Sequence, residues 1–282
     1  MTASPQRAAA QPMPPIWAGA AAFMAGSATN FRIQAAIDLA QAARQTAEVA
    51  APADATRRLH AAQAVLAGND AGVSAEDNPL IAAAFAVRQA FNDRLDVIQA
   101  MGRILQAAER DANGTPCMTW GELLVLGQFA SVPVGRALLA ATGDESERTV
   151  ARTDRLFQAG FVIERVCGAN VAALLHGRCD LPLRWVKEAG SRPEDILSDG
   201  KARRTVIDRM LDGAHGLLTT NHEGAHKPRP AALRATIALL YCRARGTIRR
   251  LRKIDPFISA VQPGRIDDAI CRLNARFIAW RG

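Results

Sequence analysis

His222, Glu223 and His226 form a literal His-Glu-x-x-His run. On a helix that spacing puts two imidazoles on one face to bind Zn²⁺, with the glutamate as base. Here Gly224 lies inside the run, Pro228 and Pro230 follow at once, and no third ligand stands nearby. The segment reads as a loop between helices, and the match as chance. Asp208 and Asp212 are one helical turn apart and could share a cation. With Arg203, Arg204 and Arg209 beside them, a solvated face of ion pairs is the better reading. Arg243, Arg245, Arg249, Arg250, Arg252 and Lys253 form a basic run. It suits a phosphate or an anionic membrane surface. It also suits a solvated helix face with positive charge near its C-terminus, where the helix dipole favours it.

Composition narrows the class. The 282 residues are 49% hydrophobic and 22% charged, which fits a soluble globular chain with a substantial core. No apolar run is expected to approach the roughly 18 residues that span a bilayer. Five scattered cysteines without a Cys-x-x-Cys pair suggest reduced thiols and a cytoplasmic setting, at most peripheral to a membrane. Lys plus Arg number 35 against 27 Asp plus Glu, for a net charge of +8, and nearly all the positive charge is arginine. Arginine forks onto phosphate and carboxylate better than lysine does. No helix-turn-helix, zinc or aromatic–basic signature accompanies the charge, which argues against nucleic acid as the partner.

The elements that must position these residues all read as helices. Residues 1–15 hold four prolines among alanines and read as a disordered tail, leaving one domain over 16–282. Helices are expected over 31–49, 55–67 with Asp54 as cap, 79–91, 93–111, 120–142, 147–175, 199–220, 230–254 and 264–280. Thr119 and Glu122 are spaced as a capping box, and Pro133 should bend the helix that follows. No stretch alternates like a strand. The fold class expected is all-α, in a single domain.

Three separated runs carry a family likeness. Residues 119–143 read TWGELLVLGQFASVPVGRALLAATG, with SVPVGR at 131–136. Gly177–Pro182 reads GRCDLP, and Glu194-Asp195 follows. Together they resemble the squalene/phytoene synthase family, with bacterial hydroxysqualene synthases most similar. The likeness covers residue 23 to the C-terminus. It implies the all-α isoprenoid synthase bundle around a central cavity. It also implies prenyl diphosphate substrates held by Mg²⁺ on two aspartate-rich motifs.

The metal ligands of that pattern are missing. The first motif's adjacent aspartates fall on Arg44 and Gln45, with the last carboxylate surviving as Glu48. The second motif falls on Gly168 and Ala172, and VCGANVAALLHG at 166–177 holds no carboxylate. Mg²⁺ wants hard oxygen ligands, usually carboxylates plus substrate phosphates, and Arg44 would repel it. Asp180 stands where the family has tyrosine, and Glu164 where it has an amide. Asp111, Arg136 and Arg178 match the family, so the resemblance implies that Arg44, Arg136 and Arg178 are the substrate-binding candidates.

The expectation is a catalytically degenerate member without Mg²⁺, other cofactor or metal. It would work as a binding, regulatory or assembly partner linked to hopanoid- or squalene-type isoprenoid metabolism. Its partners would be a related active synthase or an assembly complex, a prenyl diphosphate or apolar lipid, or a membrane surface. The alternative is an active prenyl-diphosphate transferase with a remodelled, metal-independent site in which arginines replace Mg²⁺.

Overall fold

Helix α1 (Ser27–Val49) buries Ile33, Ala36, Ile37, Ala40, Ala43 and Ala47 along one side. The small residues on that side let neighbouring helices approach closely. In the computed structural model the described residues are 27–69, 74, 78–168, 180–196, 198–219, 230–257 and 265–280. Among them are eleven helices and no strand, the all-α class expected. The 1–15 tail, Ala172, Arg178 and the His222–His226 run lie outside the described residues.

Helix α2 (Pro52–Leu66) starts earlier than expected, with Ala51 at the cap and Pro52 in the first turn. Proline's fixed φ suits that turn. Asp54 is therefore not the cap, and its carboxylate pairs with Arg57 and Arg58 instead. Asn78 caps α3 (Pro79–Ala90), its side chain accepting from Leu80 N at 3.1 Å. Helix α4 (Leu95–Ala112) follows.

Thr119 Oγ1 accepts from Glu122 N at 3.2 Å and opens α5 (Trp120–Ala130). The Glu122 carboxylate accepts from Met118 N at 3.0 Å, one residue before the amide of a full capping box. The bend expected at Pro133 is a complete break at Ser131, after which α6 (Val132–Thr142) begins. Pro133 has no N–H to bond back across the junction. Ser131 Oγ donates instead to Phe157 O at 3.0 Å. The joined stretch Trp120–Thr142 is long and apolar enough to cross a membrane, contrary to expectation. Most of it is buried inside the bundle, so its apolar content serves the core.

Helix α7 (Glu147–Gly168) packs on α6 at Gly135, where a Cβ would meet Phe157 at 2.7 Å and Thr153 at 2.9 Å. Only glycine fits that crossing. Short α8 (Leu183–Glu188) is held where Trp185 stacks on Trp120, centroids 5.2 Å apart. Helices α9 (Gly200–Thr219) and α10 (Ala231–Leu251) complete the main core. Asp208 pairs with Arg204 as expected, whereas Asp212 pairs with Arg252 across to the end of α10.

Helix α11 (Arg265–Trp280) lies antiparallel on α10. Cys242 and Cys271 form a disulfide with Cα atoms 5.6 Å apart, within the usual range. This corrects the expectation of reduced thiols for that pair, because antiparallel packing brings together cysteines 29 residues apart. Cys117 and Cys167 are free.

Candidate functional site

A cleft of about 690 Å³, counting its open mouth, runs between α1, α4 and α7 beside the Ser131 break. Helix α1 contributes Ala40, Arg44, Ala47 and Glu48, spaced so that they share one helical face. Helix α4 contributes Ile104, Ala108 and Asp111. Helix α7 contributes Phe161, Glu164, Arg165 and Gly168, and Asp180 closes the rim. Each of the three helices thus brings both apolar and charged residues to the cleft.

The charges are paired with one another. Arg44 Nε donates to Glu48 at 2.9 Å, and its Nη1 donates to Glu164 at 3.4 Å. Glu164 is buried, with 9% of its side chain exposed, so this guanidinium is a large part of what makes its position tolerable. Burial disfavours the charged form of Arg44, and Glu164 and Glu48 more than offset it, leaving its pKa above the usual arginine value.

A second knot lies next to the first. Arg165 bridges Asp180, at 2.7 Å, and Asp111. Its guanidinium also lies over the Phe161 ring, 4.7 Å from the centroid. Burial opposes the charge here too, and the two aspartates overcome it, so the pKa is raised. The described lining thus holds two guanidinium groups and four carboxylates. Each carboxylate already has an arginine beside it.

Gly168 faces Arg44 across the cleft. A Cβ built on Gly168 would lie 3.8 Å from an Arg44 Nη. The two positions singled out as vacated metal ligands therefore meet in space. Gln45 is exposed and does not line the cleft. Arg136 is not brought into it either. It is exposed and forks onto Asp154 at 2.8 and 2.6 Å.

Arg165 was not anticipated from the sequence, although it bridges Asp111 and Asp180. The signal available was Asp180 in place of tyrosine, since a new buried acid calls for a cation. Cys167, near both Glu164 and Arg44, is a poor nucleophile. Burial and the nearby Glu164 push its thiol up to about 12.

A comparison with curated proteins by sequence finds no match. The profile of the family described as squalene/phytoene synthase matches residues 34–265, most of the chain. The chain belongs to the squalene/phytoene synthase family. Its fold is similar to that of squalene synthase HpnC from Alicyclobacillus acidocaldarius. That match has a TM-score of 0.67 at 16% identity, covering 84% of this chain and 88% of that one. It is similar also to a dehydrosqualene synthase solved with a ligand. There the TM-score is 0.68 at 14% identity, covering 94% of this chain and 92% of that one. At such identities the structural likeness speaks for the fold.

Within a squalene/phytoene synthase cavity, a Mg²⁺ cluster needs several oxygen ligands converging on one point. Among the described residues no group of three His, Cys, Asp or Glu side chains could hold a metal ion. The carboxylates present are instead shared between two arginines. The donor set among the described residues does not fit a metal cluster.

Proposed function

We propose that this chain is a catalytically degenerate squalene/phytoene synthase family member in which the Arg44 guanidinium takes the electrostatic place of a metal ion. The observation that carries the reading is the Arg44 pairing with Glu48 and Glu164, opposite Gly168. A tethered cation neutralises Glu48 and Glu164 and needs no exogenous ion. It supplies one charge where Mg²⁺ supplies two, and it cannot bridge to a departing diphosphate while both acids hold it. The protein then acts by binding, as a regulatory or assembly partner of a related active synthase in isoprenoid metabolism.

The opposing reading, a metal-independent prenyl-diphosphate transferase, would need free guanidinium groups in the cleft. The described lining offers Arg44 and Arg165, and both are committed to acids. With four carboxylates against two cations, a diphosphate meets net negative charge from these residues.

Calorimetry with Mg²⁺ and a non-hydrolysable farnesyl diphosphate analogue tests the metal half. The expected result is no Mg²⁺-dependent heat, and tight metal-dependent binding would overturn it. Size-exclusion of the chain mixed with an active hydroxysqualene synthase from the same source tests the partner half. Co-elution supports it, and independent elution at micromolar concentrations contradicts it.

A further inference from the structure

Helix α11 leaves three large apolar side chains partly exposed. Ile270, Leu273 and Phe277 are 49%, 65% and 48% exposed. Among the described side chains, α11 buries the small residues Cys271 and Ala275, packed on Ala235, Leu239 and Cys242 of α10. At about 100° per residue, the exposed trio and the buried pair lie on opposite sides of the helix. The Cys242–Cys271 disulfide and the Arg243–Asp268 pair, at 2.6 Å, fix that orientation. The apolar stripe therefore cannot roll inward to join the core.

The trio is spaced 3 and 4 apart, and the sequence carries that spacing on to positions 266 and 280, an isoleucine and a tryptophan. Such spacing also occurs in helix–helix seams. Those need apolar heptads sustained over roughly three to four repeats, longer than this helix. A stable dimer also needs on the order of 800 Å² and roughly 20–30 residues per partner, whereas the described stripe has only Ile270, Leu273 and Phe277.

Charge decides for a different occupant. Arg276 sits one helical turn beyond Leu273 and next to Phe277, and is exposed, as is Arg272, which pairs with Asp268 at 2.8 Å. Helix α10, beneath, adds exposed Arg245 and Arg249. The whole chain carries +8. A helix with Leu and aromatic residues on one side and arginines on the flanks lies in the headgroup boundary of an anionic bilayer. We infer that α11 is a membrane-docking helix that seats Ile270, Leu273 and Phe277 among the acyl chains of an anionic lipid surface. This surface lies apart from the cleft and does not depend on whether the cleft is catalytic.

Vesicle co-sedimentation of the full chain is the test. One set of vesicles contains phosphatidylglycerol in phosphatidylcholine, and the other is phosphatidylcholine alone. The wild type should sediment with the first and at least about tenfold less with the second, and added salt should weaken the binding. The double substitution Leu273→Glu and Phe277→Glu should lower binding at least about tenfold. Because both positions are exposed, its circular dichroism and melting temperature should be unchanged. Arg276→Gln should lower binding to the anionic vesicles alone. The inference is overturned if the wild type stays in the supernatant, if pure phosphatidylcholine binds equally well, or if the folded double variant binds like the wild type. It is overturned too if light scattering shows a wild-type dimer that the double substitution converts to a monomer without vesicle binding.

Discussion

Arg44 and Gly168 face one another across the cleft, close enough that a Cβ at position 168 would touch the guanidinium at 3.8 Å. Helix α1 and the end of α7 thus bring together the two positions from which the family resemblance implies metal-binding aspartates. One now holds a cation, and the other holds nothing that could ligate one. On the proposed reading the exchange is electrostatically coherent, because Arg44 pairs with Glu48 and Glu164.

Removing that cation should cost stability. Arg44→Ala removes the guanidinium that pairs with both Glu48 and the buried Glu164. A fully buried pair broken this way costs about 3–5 kcal/mol. Arg44 is about one-third exposed, so screening lowers the expected loss to about 1–3 kcal/mol. Exposed Gln45→Ala, the adjacent control, should stay within about 0.5 kcal/mol. Urea denaturation of the two variants measures the difference, and equal stabilities would contradict the role given to Arg44.

Restoring carboxylates should restore metal affinity. The combined change Arg44→Asp, Gln45→Asp, Gly168→Asp and Ala172→Asp returns hard ligands to both motifs. Mg²⁺ binding should then appear by calorimetry. Gly168→Asp alone should give none, because its carboxylate would fall to Arg44. Mg²⁺ binding by the single variant would contradict the proposed electrostatics.

Cys167 should resist alkylation. With its thiol near 12 rather than 9.0, its thiolate fraction at neutral pH is smaller by roughly a thousandfold. Peptide mass mapping after iodoacetamide treatment should find Cys167 unmodified in the native protein and modified in urea. Labelling in the native state at the rate of a free cysteine would contradict the burial.

The docking of α11 should weaken in acid. Burial of Asp268 would raise its pKa, but hydrogen bonds from Arg272 and Arg243 outweigh that and hold it below the usual 3.8. A depressed folded value means that the pairing contributes fully above the unfolded pKa. The contribution is lost as pH falls from about 3.8 through the lower folded value. Amide exchange in α11, measured relative to α4, should rise over that window. A constant ratio down to complete acid unfolding would contradict it.

The cleft was partly legible in the sequence. Arg44, Glu48 and Gly168 could be placed because motif spacing along single helices survives in the residues. Arg165 could not, since its partners Asp111 and Asp180 lie 54 and 15 residues away and only packing reveals who faces whom. Arg136 was carried toward the site by its motif, yet it points outward and pairs with Asp154. The break at Ser131 was foreseen as a bend, because proline marks the place but not the amplitude. The Cys242–Cys271 pair was invisible for the same reason as Arg165: antiparallel helix packing sets it, not spacing.

The central claim is that this squalene/phytoene synthase fold does not ionise prenyl diphosphates. Loss of one strong electrostatic contact at a reacting centre typically costs about 10²–10³ in rate, and the proposed reading puts paired arginines in place of a whole cluster. Incubating the purified chain with farnesyl diphosphate and Mg²⁺, with products resolved by mass spectrometry, tests it most directly. The account predicts recovered substrate and no squalene, hydroxysqualene or presqualene diphosphate above a no-protein control. Clean formation of any of these by the unmodified protein would contradict it.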